Sequence, residues 1–318
     1  MNLTAEQIRA HLPWQALTDA LDDIFRTDVV APLRHVHDIP VADGPDAALL
    51  LMPAWIANEY IGVKQVNVFP GNNTRGESGL TGHYLLSCGR TGRHLIEIDG
   101  NVLTARRTAA ASALASRYLS RPESRSLLIV GTGRMASHLV PAHMSERDID
   151  TMRIWGRRRE AAEALAEQLG DIGATIEIVA PDALAQAVAE SDIISCATLS
   201  RQPLVRGEWL APGSHLDLVG SFAPHMREAD DEAMRWGAVF VDTREGALAE
   251  TGDLIDAIAA GAVSESDIHA DLLDICGGAH AGRRALDDSA DAITVFKSVG
   301  TSREDLAAAI LAYRNASA

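Results

Sequence analysis

Leu127-Leu128-Ile129-Val130-Gly131-Thr132-Gly133-Arg134-Met135-Ala136 decides the fold. Four apolar residues running straight into glycine read as a buried strand ending in a tight turn, and the residues from Met135 onward resume helical spacing. The pattern is the G-x-G-x-x-A variant of the dinucleotide fingerprint. Its first glycine allows the turn and its second lets a pyrophosphate approach the backbone. Ala136 permits close packing of the helix on the strand. The helix start presents unpaired N–H groups to the phosphates, so Gly131, Thr132, Gly133, Arg134, Met135 and Ala136 form the expected cofactor turn. Pro141 should kink or shorten the helix that follows.

Working toward the C-terminus, apolar runs alternate with helical patterns. Met152 to Trp155, Ile176 to Val179, Ile193 to Ala197, His215 to Val219 and Val239 to Val241 read as strands, and Arg159 to Leu169 and Ala183 to Ala189 as helices. Such alternation predicts an α/β region with a doubly wound parallel sheet of the Rossmann type and right-handed crossovers. The second strand runs into Gly156-Arg157-Arg158-Arg159, with no carboxylate until Glu160. An NAD site has an acidic residue there to hold the ribose, whereas guanidinium groups suit a 2′-phosphate. Arg157 and Arg158 therefore point to NADPH, with NADH weaker.

Working toward the N-terminus, Leu3 to about Phe25 is helical, with Thr4 and Gln7 as a capping box. Short apolar runs follow at Ala48 to Met52, Val63 to Phe69, Tyr84 to Leu86 and Leu95 to Ile98, separated by turns such as Gly71-Asn72-Asn73 and Asp99-Gly100. This half reads as a sheet-rich α+β domain. Thr104 to Tyr118 is an alanine-rich helix leaving it. The segment Ile293 to Val299, with a helix from Ser302 to about Tyr313, follows a loop near 277–291, and periodicity does not assign it to either domain.

Composition bounds the chemistry. The 318 residues suit two domains, and 44 acidic against 28 basic residues give a formal charge of −16. That charge opposes nucleic acid and anionic lipid. Cys88, Cys196 and Cys276 are widely spaced and lack metal-ligand spacing, which points to reduced cytoplasmic thiols and no metal. No apolar run is long enough to span a membrane. Within so acidic a chain, Arg34, Lys64 and Arg107 each lie near an apolar strand or helix boundary; any one alone reads as a surface charge, and the motifs around them change that reading.

Further motifs tie these readings together: Met52-Pro53-Ala54, Gly62-Val63-Lys64, Asp99-Gly100-Asn101-Val102-Leu103-Thr104 and Arg107-Thr108-Ala109-Ala110. After the Gly131 fingerprint come Ile154-Trp155-Gly156-Arg157, Gly207-Glu208-Trp209, Pro212-Gly213, Arg227-Glu228 and Phe296-Lys297-Ser298-Val299-Gly300. In this order they resemble the ornithine cyclodeaminase/μ-crystallin family over nearly the whole chain, and especially its ketimine reductase branch. The resemblance implies that Arg34, Lys64 and Arg107 grip a substrate carboxylate and that residues 295–318 return to the first domain. It also implies that Phe296 to Gly300, Lys297 among them, lie near the nicotinamide, and that the first domain builds a homodimer through its sheet. The expected domains are then 1–118 with 295–318, for substrate binding and dimerisation, and 119–294 for the cofactor. Thr198 and Leu199, ending the fourth Rossmann strand, should lie near the nicotinamide, because ligands bind outside strand C-termini.

Family membership leaves the reaction open among ketimine reductases, alanine-type dehydrogenases, cyclodeaminases and a non-catalytic binding protein. Where the cyclodeaminase branch places an aspartate after the fifth Rossmann strand, this chain has Phe222 in Gly220-Ser221-Phe222-Ala223-Pro224. A phenyl ring cannot accept a proton, which disfavours deamination. His83, where many relatives carry threonine, reads equally as a specificity residue, an acid or a packing residue. The expected activity is NADPH-dependent reduction of Δ1-pyrroline-2-carboxylate or Δ1-piperideine-2-carboxylate to L-proline or L-pipecolate, with Lys64 or a water protonating the nitrogen.

Overall fold

The computed structural model describes residues 1–42 and 44–317. The chain divides into two compact units, residues 1–108 with 301–318 and residues 109–300.

In the first unit the predicted N-terminal helix is two helices, α1 (Ala5–His11) and α2 (Trp14–Arg26). Pro13, which has no N–H to continue α1, stands as the N-cap of α2. The Thr4–Gln7 capping box is present. An antiparallel meander follows, β1 (His35–Ile39), β2 (Ala47–Ile56), β3 (Tyr60–Val68), β4 (Leu80–Cys88) and β5 (His94–Asp99), each paired with the next. Alternation along β3 sends Gly62, Lys64 and Val66 to the face covered by the C-terminal helix Ser302–Ser317, whereas Ile61 and Gln65 are exposed. β1 was not predicted. Its sequence HVHDI is almost wholly exposed, so it carries no core pattern to read. The helix α3 (Gly100–Leu119) starts in this unit, with Asp99 accepting from the N–H groups of Asn101 and Val102.

The second unit is built on eight parallel strands: β6 (Ser126–Val130), β7 (Thr151–Trp155), β8 (Thr175–Ile178), β9 (Ile193–Cys196), β10 (His215–Leu218), β11 (Ala238–Val241), β12 (Ile268–Asp271) and β13 (Thr294–Lys297). Their order is β12-β11-β13-β10-β9-β6-β7-β8. Helices connect them: α4 (Ala136–Met144), α5 (Arg159–Leu169), α6 (Leu184–Ala189), α7 (Asp231–Trp236), α8 (Arg244–Glu250), α9 (Gly252–Ala259) and α10 (Leu272–Cys276). Central strands such as β9, β10 and β13 are buried at every residue, as strands covered on both faces must be, which is why they read as short apolar runs. This is the predicted doubly wound α/β fold beside an antiparallel α+β unit. Pro141 lies inside α4, which ends three residues later.

The sequence placed the divisions at 118/119 and 294/295, whereas the compact units divide at 108/109 and 300/301. β13 accounts for the second of these differences, because it pairs with both β10 and β11 and so holds residues 294–297 in the large-sheet unit. β12 was also unread, because Ile-His-Ala-Asp offers only two apolar residues. All three cysteines are free thiols. Among the described residues no helix is long and apolar enough to cross a membrane.

Polar groups interrupt the large sheet, and Asp217 shows how one is answered. Asp217 on β10 is fully buried, a placement costing several kcal/mol without partners. It accepts from Ser195 Oγ at 2.6 Å and Ser112 Oγ at 3.1 Å and faces His143 Nε2 at 3.3 Å. Burial pushes its carboxyl up, but these partners outweigh it and hold Asp217 below the ordinary carboxylate value.

Candidate functional site

The residues singled out in the sequence fall mainly into two constellations, one in each unit.

In the large-sheet unit, strand order reverses between β6 and β9, which are neighbours although two strands lie between them in sequence. A cavity of about 760 Å³ opens at their C-terminal ends, lined by Gly131, Thr132 and Gly133 after β6, Trp155 to Arg158 after β7, and Ala197 to Arg201 with Leu204 after β9. Ligands of doubly wound sheets bind in this crevice. Two glycines test whether a dinucleotide fits. Gly131 has φ +119°, and a Cβ there would stand 2.7 Å from the Ala197 carbonyl oxygen, so the turn itself requires glycine. Gly133 has no such constraint, since a Cβ on it would meet nothing within 4 Å. The backbone there lies open, with room for a pyrophosphate to approach it. Arg157 and Arg158 are exposed on the same wall. The residues present fit an NAD(P) dinucleotide: an open glycine turn and two exposed arginines line one cavity.

Of the remaining predicted cofactor residues, Thr198 and Leu199 line the cavity and Leu199 is 75% exposed. Arg134, Met135 and Ala136 do not line it. Ala136 is the buried first residue of α4, and the Arg134 carbonyl accepts from Ser137 Oγ. Lys297 is brought to neither wall. Its ammonium is fully buried on β13, donating to the Leu218 carbonyl at 2.9 Å and lying 3.4 Å from Asp253 Oδ2.

Sequence reasoning passed over the carboxylate that joins these loops. Glu228 is fully buried. Its Oε1 accepts from Thr198 N at 2.7 Å and Thr198 Oγ1 at 2.8 Å, while its Oε2 accepts from Gly220 N at 2.6 Å and Ser221 N at 3.3 Å. Burial pushes its carboxyl up to about 7 against the opposing influence of Lys297 and Thr198. Asp253 in turn accepts from the N–H groups of Glu228 and Ala229. Asp242 does the same for the end of β13, accepting from Val299 N at 2.8 Å and Gly300 N at 2.6 Å. The available signal was Arg227-Glu228, a motif without an assigned task.

In the first unit, Lys64 and Arg107 meet. Lys64 Nζ lies 2.9 and 2.8 Å from the two carboxylate oxygens of Asp305 and 3.4 Å from Thr104 Oγ1. Arg107 donates Nε to Asp305 at 2.9 Å and Nη1 to Glu304 at 2.6 Å. Arg34, half-buried, acts on Lys64 and Asp305 through its charge. Burial first, then the positive charges of Arg107 and Arg34, bring the Lys64 ammonium down to about 8, although Asp305 opposes them. Burial pushes Asp305 up, but Lys64 and Arg107 outweigh it and hold its carboxyl low. Tyr84, paired with Lys64 across β3 and β4, is fully buried, and its hydroxyl has no hydrogen-bond partner among the described residues. A Cβ at Gly62 would overlap that hydroxyl, so glycine makes room for the ring. Burial, then Asp305, keeps the phenol neutral. His83 alternates to the other face of β4, half-exposed, with Nε2 2.6 Å from Glu97. Phe222, in the loop after β10, is 51% exposed.

The sheet order and the cavity at its switch point define a Rossmann-type α/β fold. The chain belongs to the ornithine cyclodeaminase/mu-crystallin family, which it matches over residues 2–318. It is 51% identical to an uncharacterised protein of Schizosaccharomyces pombe, over 98% of this chain and 96% of that one. It is 38% identical to the Delta(1)-pyrroline-2-carboxylate reductase of Paracoccus denitrificans, over 91% and 92%. The structure of the Thermococcus litoralis Delta(1)-pyrroline-2-carboxylate reductase in complex with NADH and L-proline is similar throughout. Its TM-score is 0.90 at 30% identity, covering 99% of this chain and 97% of that one.

Proposed function

We propose that this chain is a cytoplasmic NADPH-dependent ketimine reductase, converting a five- or six-membered cyclic imine 2-carboxylate to L-proline or L-pipecolate. The observation that carries the reading is the buried Lys64–Arg107 pair in a chain similar to reductases of that substrate class. A bound reduced dinucleotide would supply the hydride. Arg107 and Lys64, with Arg34 nearby, hold the carboxylate and so fix the ring's orientation. At neutral pH Lys64, brought down to about 8, is an ammonium able to keep the imine nitrogen protonated, and proton transfer from a donor so poised is efficient. Arg157 and Arg158 favour a 2′-phosphate.

Phe222 separates this reading from cyclodeamination, which needs a base at a second nitrogen. Exposed Val36, Ile61 and Leu80 on the first unit's sheet support the homodimer implied by the family. The test is an NADPH-oxidation screen over cyclic imine 2-carboxylates and over 2-oxo acids with and without ammonia. Ammonia-independent turnover of a cyclic imine to one stereoisomer is expected. Turnover confined to 2-oxo acid plus ammonia would show an alanine-type dehydrogenase instead. NAD-dependent ammonia release from L-ornithine at a comparable rate would show a cyclodeaminase.

A further inference from the structure

A lysine closes β13, a central strand buried at every residue, where the sheet asks for an apolar side chain. A buried ammonium is costly unless carboxylates answer it, and here they stand at the C-terminal edge of the same sheet. Register sets Lys297 beside Leu218 on β10 and Val241 on β11. From there its Nζ donates to the Leu218 carbonyl at 2.9 Å and lies 3.4 Å from Asp253 Oδ2, an oxygen with no hydrogen-bond partner among the described residues. Its charge also reaches Glu228 and Asp242, opposing the burial that pushes both carboxyls up. All three acids are fully buried, and each fastens backbone at this edge. Glu228 takes Thr198, Gly220 and Ser221; Asp253 takes the N–H groups of Glu228 and Ala229; Asp242 takes those of Thr243, Val299 and Gly300. The loops are pressed together, since a Cβ at Gly220 would overlap the Thr198 carbonyl oxygen and stand 2.5 Å from Glu228 Oε1. The other titratable neighbours are answered elsewhere. Cys196 on β9 is kept a neutral thiol by burial and by Glu228, Asp217 and Asp253; Asp217 has Ser195, Ser112 and His143; Arg227 pairs with Asp231.

We propose that Lys297 is a positioning residue for the coenzyme, its ammonium being the shared counter-charge on which Glu228, Asp253 and Asp242 depend to fasten the loops after β9, β10 and β13, the first of which walls the dinucleotide cavity. It acts through the carboxylates and touches no ligand. Without the ammonium, Glu228 keeps its proton to higher pH and turns an O–H toward a donor it now accepts from, which frees Thr198 or Gly220.

This inference rests on the cavity being the coenzyme site, and the experiment separates the two. Full-length wild type, Lys297→Met and Lys297→Met/Asp253→Asn are melted without coenzyme from pH 6 to pH 9, and titrated with NADPH at pH 8, well above the range where its 2′-phosphate titrates. Glu228 has a folded value above its unfolded one, so it costs stability as pH rises and stops doing so once the folded value, about 7 in wild type, is passed. In Lys297→Met that value is higher and the loss continues, so the Tm gap to wild type should widen by about 3 °C or more between pH 7 and pH 9. NADPH should bind this variant at least about tenfold more weakly. Asp253→Asn removes a negative charge that pushes Glu228 up while keeping Oδ1 for its two N–H donors, so the double variant should recover most of both losses. A Tm gap independent of pH would make Lys297 a packing residue and overturn the proposal, as would a double variant no better than Lys297→Met. If Lys297→Met does not fold, the charge-balanced double variant must, and failure of both overturns the proposal too. A wild type that does not bind NADPH would overturn the coenzyme reading, whereas the melting profiles, taken without coenzyme, still decide whether Lys297 is the counter-charge.

Discussion

Glu228→Gln should loosen the coenzyme cavity without touching it. The carboxylate fastens the loop after β9 to the loop after β10, with one oxygen on Thr198 and the other on Gly220 and Ser221. All four of those groups are donors. A glutamine offers one oxygen and one NH2, so whichever loop meets the NH2 faces donor against donor at about the 2.6–2.7 Å now spanned by a hydrogen bond. A hydrogen bond to a charged group contributes about 1.5–3 kcal/mol, and a buried N–H left unpaired costs about 1–3 kcal/mol, two figures that largely describe one loss. Some of it is returned, because burial makes ionised Glu228 costly, as its rise to about 7 shows. The net is about 2 kcal/mol of destabilisation, which in a unit of this size lowers Tm by about 4–8 °C. Thr198 is also cavity wall, so NADPH should bind about tenfold more weakly, equivalent to about 1.4 kcal/mol. Differential scanning calorimetry and dinucleotide titration read the two effects. A Tm within 1 °C of wild type together with unchanged NADPH affinity would refute the clamp.

Gly131→Ala and Gly133→Ala should part company: the first lowers Tm, because its Cβ meets the Ala197 carbonyl, whereas the second leaves Tm within about 1 °C and still weakens dinucleotide binding at least about tenfold. Equal melting of the two variants would contradict this account of the turn. For pH, the active form is the Lys64 ammonium, brought down to about 8, so kcat/KM for imine reduction is full below that value and falls as pH rises through it. Asp305 raises the Lys64 pKa, hence Asp305→Asn should move that falling limb to lower pH, and a limb that stays in place would assign it to another group. Replacing Arg157 and Arg158 together by serine should raise the NADPH KM about tenfold or more while NADH changes less than about twofold; parallel losses would mean the pair does not read the 2′-phosphate.

What could be read beforehand follows from how local each feature is. The Gly131–Ala136 turn and the helix Arg159–Leu169 are specified by neighbours in sequence, and both appear where spacing put them. Lys64 and Arg107 were singled out by the family motifs around them, their charge alone saying little, and both reach Asp305. Their partners were hidden, since Glu304 and Asp305 look like ordinary first-turn acids until the helix is laid against β3. Lys297 looked like a cofactor ligand because of the motif around it, but strand alternation and β13's place in the sheet turn its ammonium inward toward Leu218 and Asp253. Glu228 could not be weighed from sequence, as its value lies in backbone N–H groups 8 and 30 residues away.

The place of β13 bears on how the chain reaches its native state. It is made after every other strand of its sheet, yet it lies between β10 and β11 and, among the described residues, is the strand that pairs the β11–β12 edge to the rest of the sheet. During synthesis β6 to β10 can pair among themselves while β11 and β12 wait, each side exposing an open strand edge. Such edges invite mispairing and chaperone capture until residues 294–297 emerge and slide into the gap. Pairings of such long sequence separation form slowly, so the large sheet closes only when its four last-made strand residues take their place.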